Sequence, residues 1–129
     1  MLEVLPIQEK STQEAICLRC GIDYDPELMA YSAYVDGELV GACQFTMSNK
    51  GGELIDLANV SGVKDTQALF VVGRATLNFI DLCGVHYAYC KSDKIDPVLL
   101  RAIGFSKNND GIYDVDLTHF FDHPCQHNK

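Results

Sequence analysis

The spacing of apolar residues changes several times along the chain, and each change marks a predicted element. Residues 2–6 are short and mostly apolar and predict a first strand. Ser11 followed by Glu14 is a capping-box pattern, and Gly21 is a stop, so a first helix is expected over residues 12–20. Pro26 opens a connection. Residues 29–35, rich in Tyr, Ala and Val, then end at Asp36-Gly37, a dipeptide suited to a type I′ hairpin turn, with a return strand over 39–47. Asn49-Lys50-Gly51-Gly52 makes a second turn and 53–60 a further strand, which together predict a three-stranded antiparallel meander. A long helix follows, capped by Asp65 and ended by Gly84. Gln67, Arg74, Asn78 and Asp81 form its narrow polar stripe, and Leu69, Val72, Leu77 and Ile80 belong to a broad face that must be buried on the sheet. Residues 85–91 predict another strand, Asp96-Pro97 starts a last helix that Gly104 stops, and Phe105 with residues 112–117 makes the closing hairpin. The expected order is β, α, β, β, β, α, β, α, β and a final hairpin, an α/β (α+β) architecture.

Composition narrows the class of function. With 129 residues and 47% apolar content, one packed core is expected and a single domain over 1–129. An active site must then lie within that core or at an oligomer interface, such as that of a homodimer. No apolar run approaches the roughly 18 residues of a membrane span, so no membrane partner is expected, and the first residues carry no export pattern. A net charge of −8 with scattered basic residues repels a phosphate backbone and argues against nucleic acid. The same charge favours cationic small molecules such as amines. Six cysteines without an export signal read as reduced thiols in the cytoplasm, with Cys43, Cys83 and Cys90 in apolar segments.

Three groups of residues carry possible chemistry. Glu53 and Asp56 are the only carboxylates on the strand that leads into the long helix; their plainer roles are a solvated strand end and a hydrogen-bonded cleft residue. Cys17 and Cys20 form a CxxC pair at the last turn of a helix, where the helix dipole opposes a thiolate, so they read as packing thiols. With His119, His123, Cys125 and His127 they have the atom types of a zinc site, but the spacing fits no zinc module and no metal is expected. His86 reads as a packing residue beside Tyr87 and Tyr89.

The element order and three local segments resemble the GNAT (acyl-CoA N-acyltransferase) superfamily over nearly the whole chain. The segments are Asp36-Gly37-Glu38-Leu39-Val40-Gly41, Glu53-Leu54-Ile55-Asp56-Leu57-Ala58-Asn59-Val60 and Leu99-Leu100-Arg101-Ala102-Ile103-Gly104-Phe105. The resemblance implies a mixed, mainly antiparallel central sheet with helices on both faces, and transfer of an acetyl or other acyl group from acetyl-CoA or another acyl-CoA to an amine. It implies that Glu53 and Asp56 take the amine's proton and that amides near Leu57 and Ala58 hold the thioester carbonyl. Val60, Thr66, Ala68, Leu69 and Phe70 would surround the pyrophosphate at the helix start. The family's R-x-x-G-x-G pattern falls on Asp65, Ala68 and Phe70, and the position of its usual proton-donating Tyr falls on Leu100. The alternative is a catalytically inactive GNAT-fold domain that has lost acyl-CoA and binds a small ligand or a protein partner.

Overall fold

The computed structural model describes residues 1–122. Ten elements follow in chain order: β1 (Leu2–Pro6), α1 (Lys10–Cys20), β2 (Met29–Val35), β3 (Glu38–Ser48), β4 (Gly51–Asn59), α2 (Thr66–Leu82), β5 (Tyr87–Cys90), α3 (Pro97–Ile103), β6 (Ser106–Lys107) and β7 (Tyr113–Asp116). The strands form one sheet in the order β1-β2-β3-β4-β5-β7-β6. Every neighbouring pair is antiparallel except β4 with β5. The expected meander is β2-β3-β4, and its first turn has positive φ at both Asp36 and Gly37, the type I′ geometry that suits the twist of the flanking strands.

Alternation along β3 places the two layers. Cys43 and Phe45 enter the main core with Leu69, Val72, Leu77 and Ile80 of α2 and Leu99, Leu100 and Ile103 of α3. Ala42 faces the other way, into a smaller cluster with Ile16 and Cys20 of α1. The sheet thus carries α1 on one face and α2 with α3 on the other. Phe45 is 1% exposed and anchors the main core, stacked on Tyr31 and edge-on to Phe79.

Local signals fixed two helix starts as expected. The Asp65 carboxylate accepts from the Ala68 amide at 3.0 Å, and that of Asp96 from the Val98 amide at 2.9 Å, just ahead of Pro97. Two expectations need correction. The capping box of Ser11 and Glu14 does not form, because α1 begins two residues earlier, with Glu9 at its cap position and no side-chain cap. Lys10 holds that turn instead, donating to the Leu28 carbonyl at 2.6 Å. The fifth strand is shorter than residues 85–91, since it pairs with β4 only from Ala88 to Cys90. Cys83 is exposed at the end of α2, while Cys43 and Cys90 are buried.

Close packing of α2 on α3 depends on one glycine. A Cβ on Gly73 would come within 2.5 Å of Cδ1 and 3.0 Å of Cγ1 of Ile103. We predict that Gly73→Val lowers unfolding free energy by about 1–3 kcal/mol through overpacking. Adding Ile103→Ala should recover part of that loss in urea titrations, and no recovery would place the clash elsewhere.

Candidate functional site

The divergence of two strands makes the site. β4 and β5 pair as parallel neighbours at Gly52 with Ala88, Glu53 with Tyr89 and Leu54 with Cys90, and there the ladder stops. Residues 55–59 continue along β3 without a partner on the β5 side. The register against β3 jumps at the same point, from Phe45 opposite Leu54 to Gln44 opposite Asp56, so Ile55 is an extra, bulged residue. Bulge and divergence together open a wedge at the middle of the sheet and free backbone groups along one side of β4.

Strand alternation identifies those groups. The Val60 amide donates to the Val40 carbonyl at 2.9 Å. By the two-residue repeat, the amides of Ala58 and Asp56 also face β3, and those of Leu57 and Asn59 face the wedge. Among the amides of Leu57, Ala58 and Val60, the one directed into the gap is therefore that of Leu57.

The start of α2 lies at the end of β4, tied down by Asn59. Its side-chain amide donates to the carbonyls of Val40 (3.0 Å) and Asp65 (3.2 Å), and its oxygen accepts from the Asp65 amide at 3.1 Å. The Ala68 amide is taken by the Asp65 carboxylate and the Leu69 amide by the Asp65 carbonyl. That leaves the amides of Thr66 and Gln67 without an intrahelical acceptor. Ala68 and Leu69 are buried, Thr66 is exposed, and Phe70 is half-buried under the Arg74 guanidinium, 5.1 Å from its ring centre. Leu100 is 1% exposed, packed in the main core.

On the α1 face the wedge opens into a cleft of about 550 Å³. Its lining includes Glu53 and Asp56, as well as Asp23, Tyr24 and Asp25 from the connection after α1 and Lys91 with Lys94 beyond β5. Four carboxylates against two ammonium groups leave it electronegative, which adds to the effect of burial on nearby acids. Burial pushes the Cys17 thiol up to about 11, with the Asp56 charge adding to the effect. Burial also raises the Tyr89 phenol, reinforced by the charge of Glu53. The Tyr24 phenol is raised by desolvation first, and then by Glu14, Cys17 and Asp25.

The structure therefore brings Glu53 and Asp56 together in one cleft, joined to Leu57 by the same strand. Asp23, Tyr24 and Asp25 were not distinguished from a plain connection in the sequence. A run of two acids and an aromatic between a helix stop and Pro26 was the available signal. Gln44, which bonds to Asp56, gave no signal, because its role depends on strand register.

Cys17 and Cys20 are buried free thiols, and burial pushes Cys20 too up to about 11. Burial drives Cys43 higher still, to about 12. Thiolate is the reactive form, so at pH 8 iodoacetamide should label Cys83 well before Cys17, Cys20, Cys43 or Cys90 in the folded protein. Labelling of Cys17 or Cys20 at the rate of Cys83 would revive a redox role. Among the described residues no group of three or more His, Cys, Asp and Glu side chains could hold a metal ion. The tail positions His123, Cys125 and His127 lie outside the described residues. His86 is hydrogen-bonded to Asp81 at 2.6 Å on the surface, and His119 to Asp122. Among the described residues no helix is long and apolar enough to cross a membrane.

No family model matches this sequence, and no curated protein matches it by sequence. Solved structures do match it in shape. The ribosomal-protein-S18-alanine N-acetyltransferase from Escherichia coli aligns over 91% of this chain and 94% of its own, with a TM-score of 0.68 at 10% identity. The PaiA N-acetyltransferase from Thermoplasma acidophilum, solved in complex with coenzyme A, aligns over 90% and 99%, with a TM-score of 0.64 at 11% identity. An aminoglycoside 6′-acetyltransferase of type Ii aligns over 89% and 97%, with a TM-score of 0.66 at 17% identity. With its diverging β4 and β5 and its single mixed sheet between helices, the chain has the fold of the GNAT acetyltransferases.

Proposed function

We propose that this domain is an acyltransferase-like protein whose wedge takes an acyl thioester and whose acidic cleft takes a primary amine. The observation that carries the proposal is the break in the β4–β5 ladder after Leu54 and Cys90, which opens directly into the cleft lined by Glu53 and Asp56. The Leu57 amide would donate to an oxygen that gains negative charge during acyl transfer. Asp56 or Glu53 would accept the proton the amine gives up. Negative lining attracts the amine as a cation and must then accept its proton, so the same carboxylates serve binding and chemistry. When bound, an acyl-CoA supplies the activated acyl group.

The two ends of such a cofactor fit this chain differently. The wedge suits the thioester, whereas Asp65 places a carboxylate on an amide where a phosphate would otherwise lie, and Phe70 adds bulk one turn further on. No side chain at Leu100 can protonate a leaving thiolate. These observations favour a second reading, a GNAT-fold domain that binds an amine or a protein partner without acyl-CoA. Acetyl-CoA-dependent release of free thiol across a panel of primary amines tests the choice. Amine-dependent turnover supports transfer, and amine binding without turnover supports the second reading.

A further inference from the structure

Lys10, Gln13, Gln44 and Asp56 form an unbroken polar line from the surface of α1 to the cleft. The Lys10 ammonium donates to Gln13 Oε1 at 3.2 Å, Gln13 Nε2 donates to Gln44 Oε1 at 2.9 Å, and Gln44 Nε2 donates to Asp56 Oδ2 at 2.8 Å. Its two ends fix its direction. An ammonium can only donate and an ionised carboxylate can only accept, so each glutamine amide between them has one orientation that satisfies both neighbours. Gln13 and Gln44 are each 0% exposed, and no buried side-chain polar atom among the described residues lacks a partner.

The line also holds the connection that forms the cleft's lip. Gln44 donates to the Asp23 carbonyl at 2.8 Å and accepts from the Asp25 amide at 3.3 Å. Lys10 and Gln13 both donate to the Leu28 carbonyl, at 2.6 and 3.3 Å. Three side chains on α1 and β3 thus make bonds that the lip's own backbone does not make. Burying two primary amides costs desolvation that apolar residues of the same shape would avoid, so stability alone does not account for them.

We propose that Gln44, backed by Gln13, is the positioning residue of the cleft: it fixes the Asp56 carboxylate and the Asp23–Asp25 lip as one unit. The assignment rests on the acyltransferase-like reading for the purpose of the cleft, while the strap itself is a property of the ligand-free protein. Its test uses Gln44→Met, which keeps the length and removes every hydrogen bond. In the ligand-free variant, amide hydrogen exchange over residues 22–28 should rise by about tenfold or more, with α2 and β5 unchanged. In an NMR titration with 1,4-diaminobutane, the affinity of the variant should fall by about tenfold or more against the parent.

A glutamine that merely supports the fold would speed exchange throughout the sheet and leave diamine affinity alone, and either result overturns the proposal. If Gln44→Met does not fold, Gln13→Met cuts the line one step further back and is judged by the same two measurements, with smaller expected changes. Should the parent itself bind no diamine, the acceptor reading fails, and exchange at residues 22–28 still decides whether the strap exists.

Discussion

Replacing Asp65 by Arg and Phe70 by Gly is expected to raise affinity for acetyl-CoA on the order of a hundredfold over the parent, measured at low salt. At roughly 6 Å in water, two unit charges interact by about 0.7 kcal/mol. Changing −1 to +1 beside about two phosphate charges therefore amounts to roughly 3 kcal/mol, or about a hundredfold in dissociation constant. Glycine at position 70 removes a ring that is half-buried against Arg74 and lets the backbone approach a ligand. The gain has a cost in stability. Loss of the bond from Asp65 to the Ala68 amide removes a helix cap worth about 1 kcal/mol, and a glycine inside α2 costs about as much again. Asp65→Asn separates the effects, since asparagine still caps while removing the charge, and a gain of about tenfold is expected from it. Unchanged affinity in both variants would mean that phosphate does not approach this helix start.

Asp56→Asn should lower the rate of amine-dependent acyl transfer by a factor of about 10² to 10⁴, the range general bases contribute. The substitution is nearly isosteric, and an asparagine carbonyl can still accept from Gln44 Nε2, so the strand and the lip should stay where they are. The thermal midpoint should therefore move little while the rate falls. Glu53 lines the same cleft, and Glu53→Gln is the companion variant. If neither changes the rate, the proton leaves by another route, through water or the product, and the cleft carboxylates serve binding alone.

Much of the fold could be read from the chain because its signals are local. Asp65 three residues before Ala68, Asp96 before Pro97, and Asp36 with Gly37 in a hairpin each act within a single turn, and each adopted the expected geometry. The capping box at Ser11 failed for the complementary reason. A tertiary bond from Lys10 to Leu28, 18 residues away, holds the start of α1 two residues further back than its local signal.

The site was half legible. Glu53, Asp56 and Leu57 lie together because they share one strand, and a strand can be recognised by its pattern. The lip and its strap could not be found this way. Gln13 reaches Gln44 across 31 residues, and Gln44 meets Asp56 only through the β3–β4 register, which a bulge at Ile55 shifts by one. No periodicity encodes that shift.

The most direct test of the acyltransferase-like function is a calorimetric titration of the unmodified protein with acetyl-CoA at low salt, where attraction to the phosphates is least screened. Saturable heat for one site, with a dissociation constant below about 1 mM, is the expected result. Absence of heat up to several times that concentration, roughly 5 mM, would contradict it and leave the acidic cleft as a binding site for an amine or a protein partner.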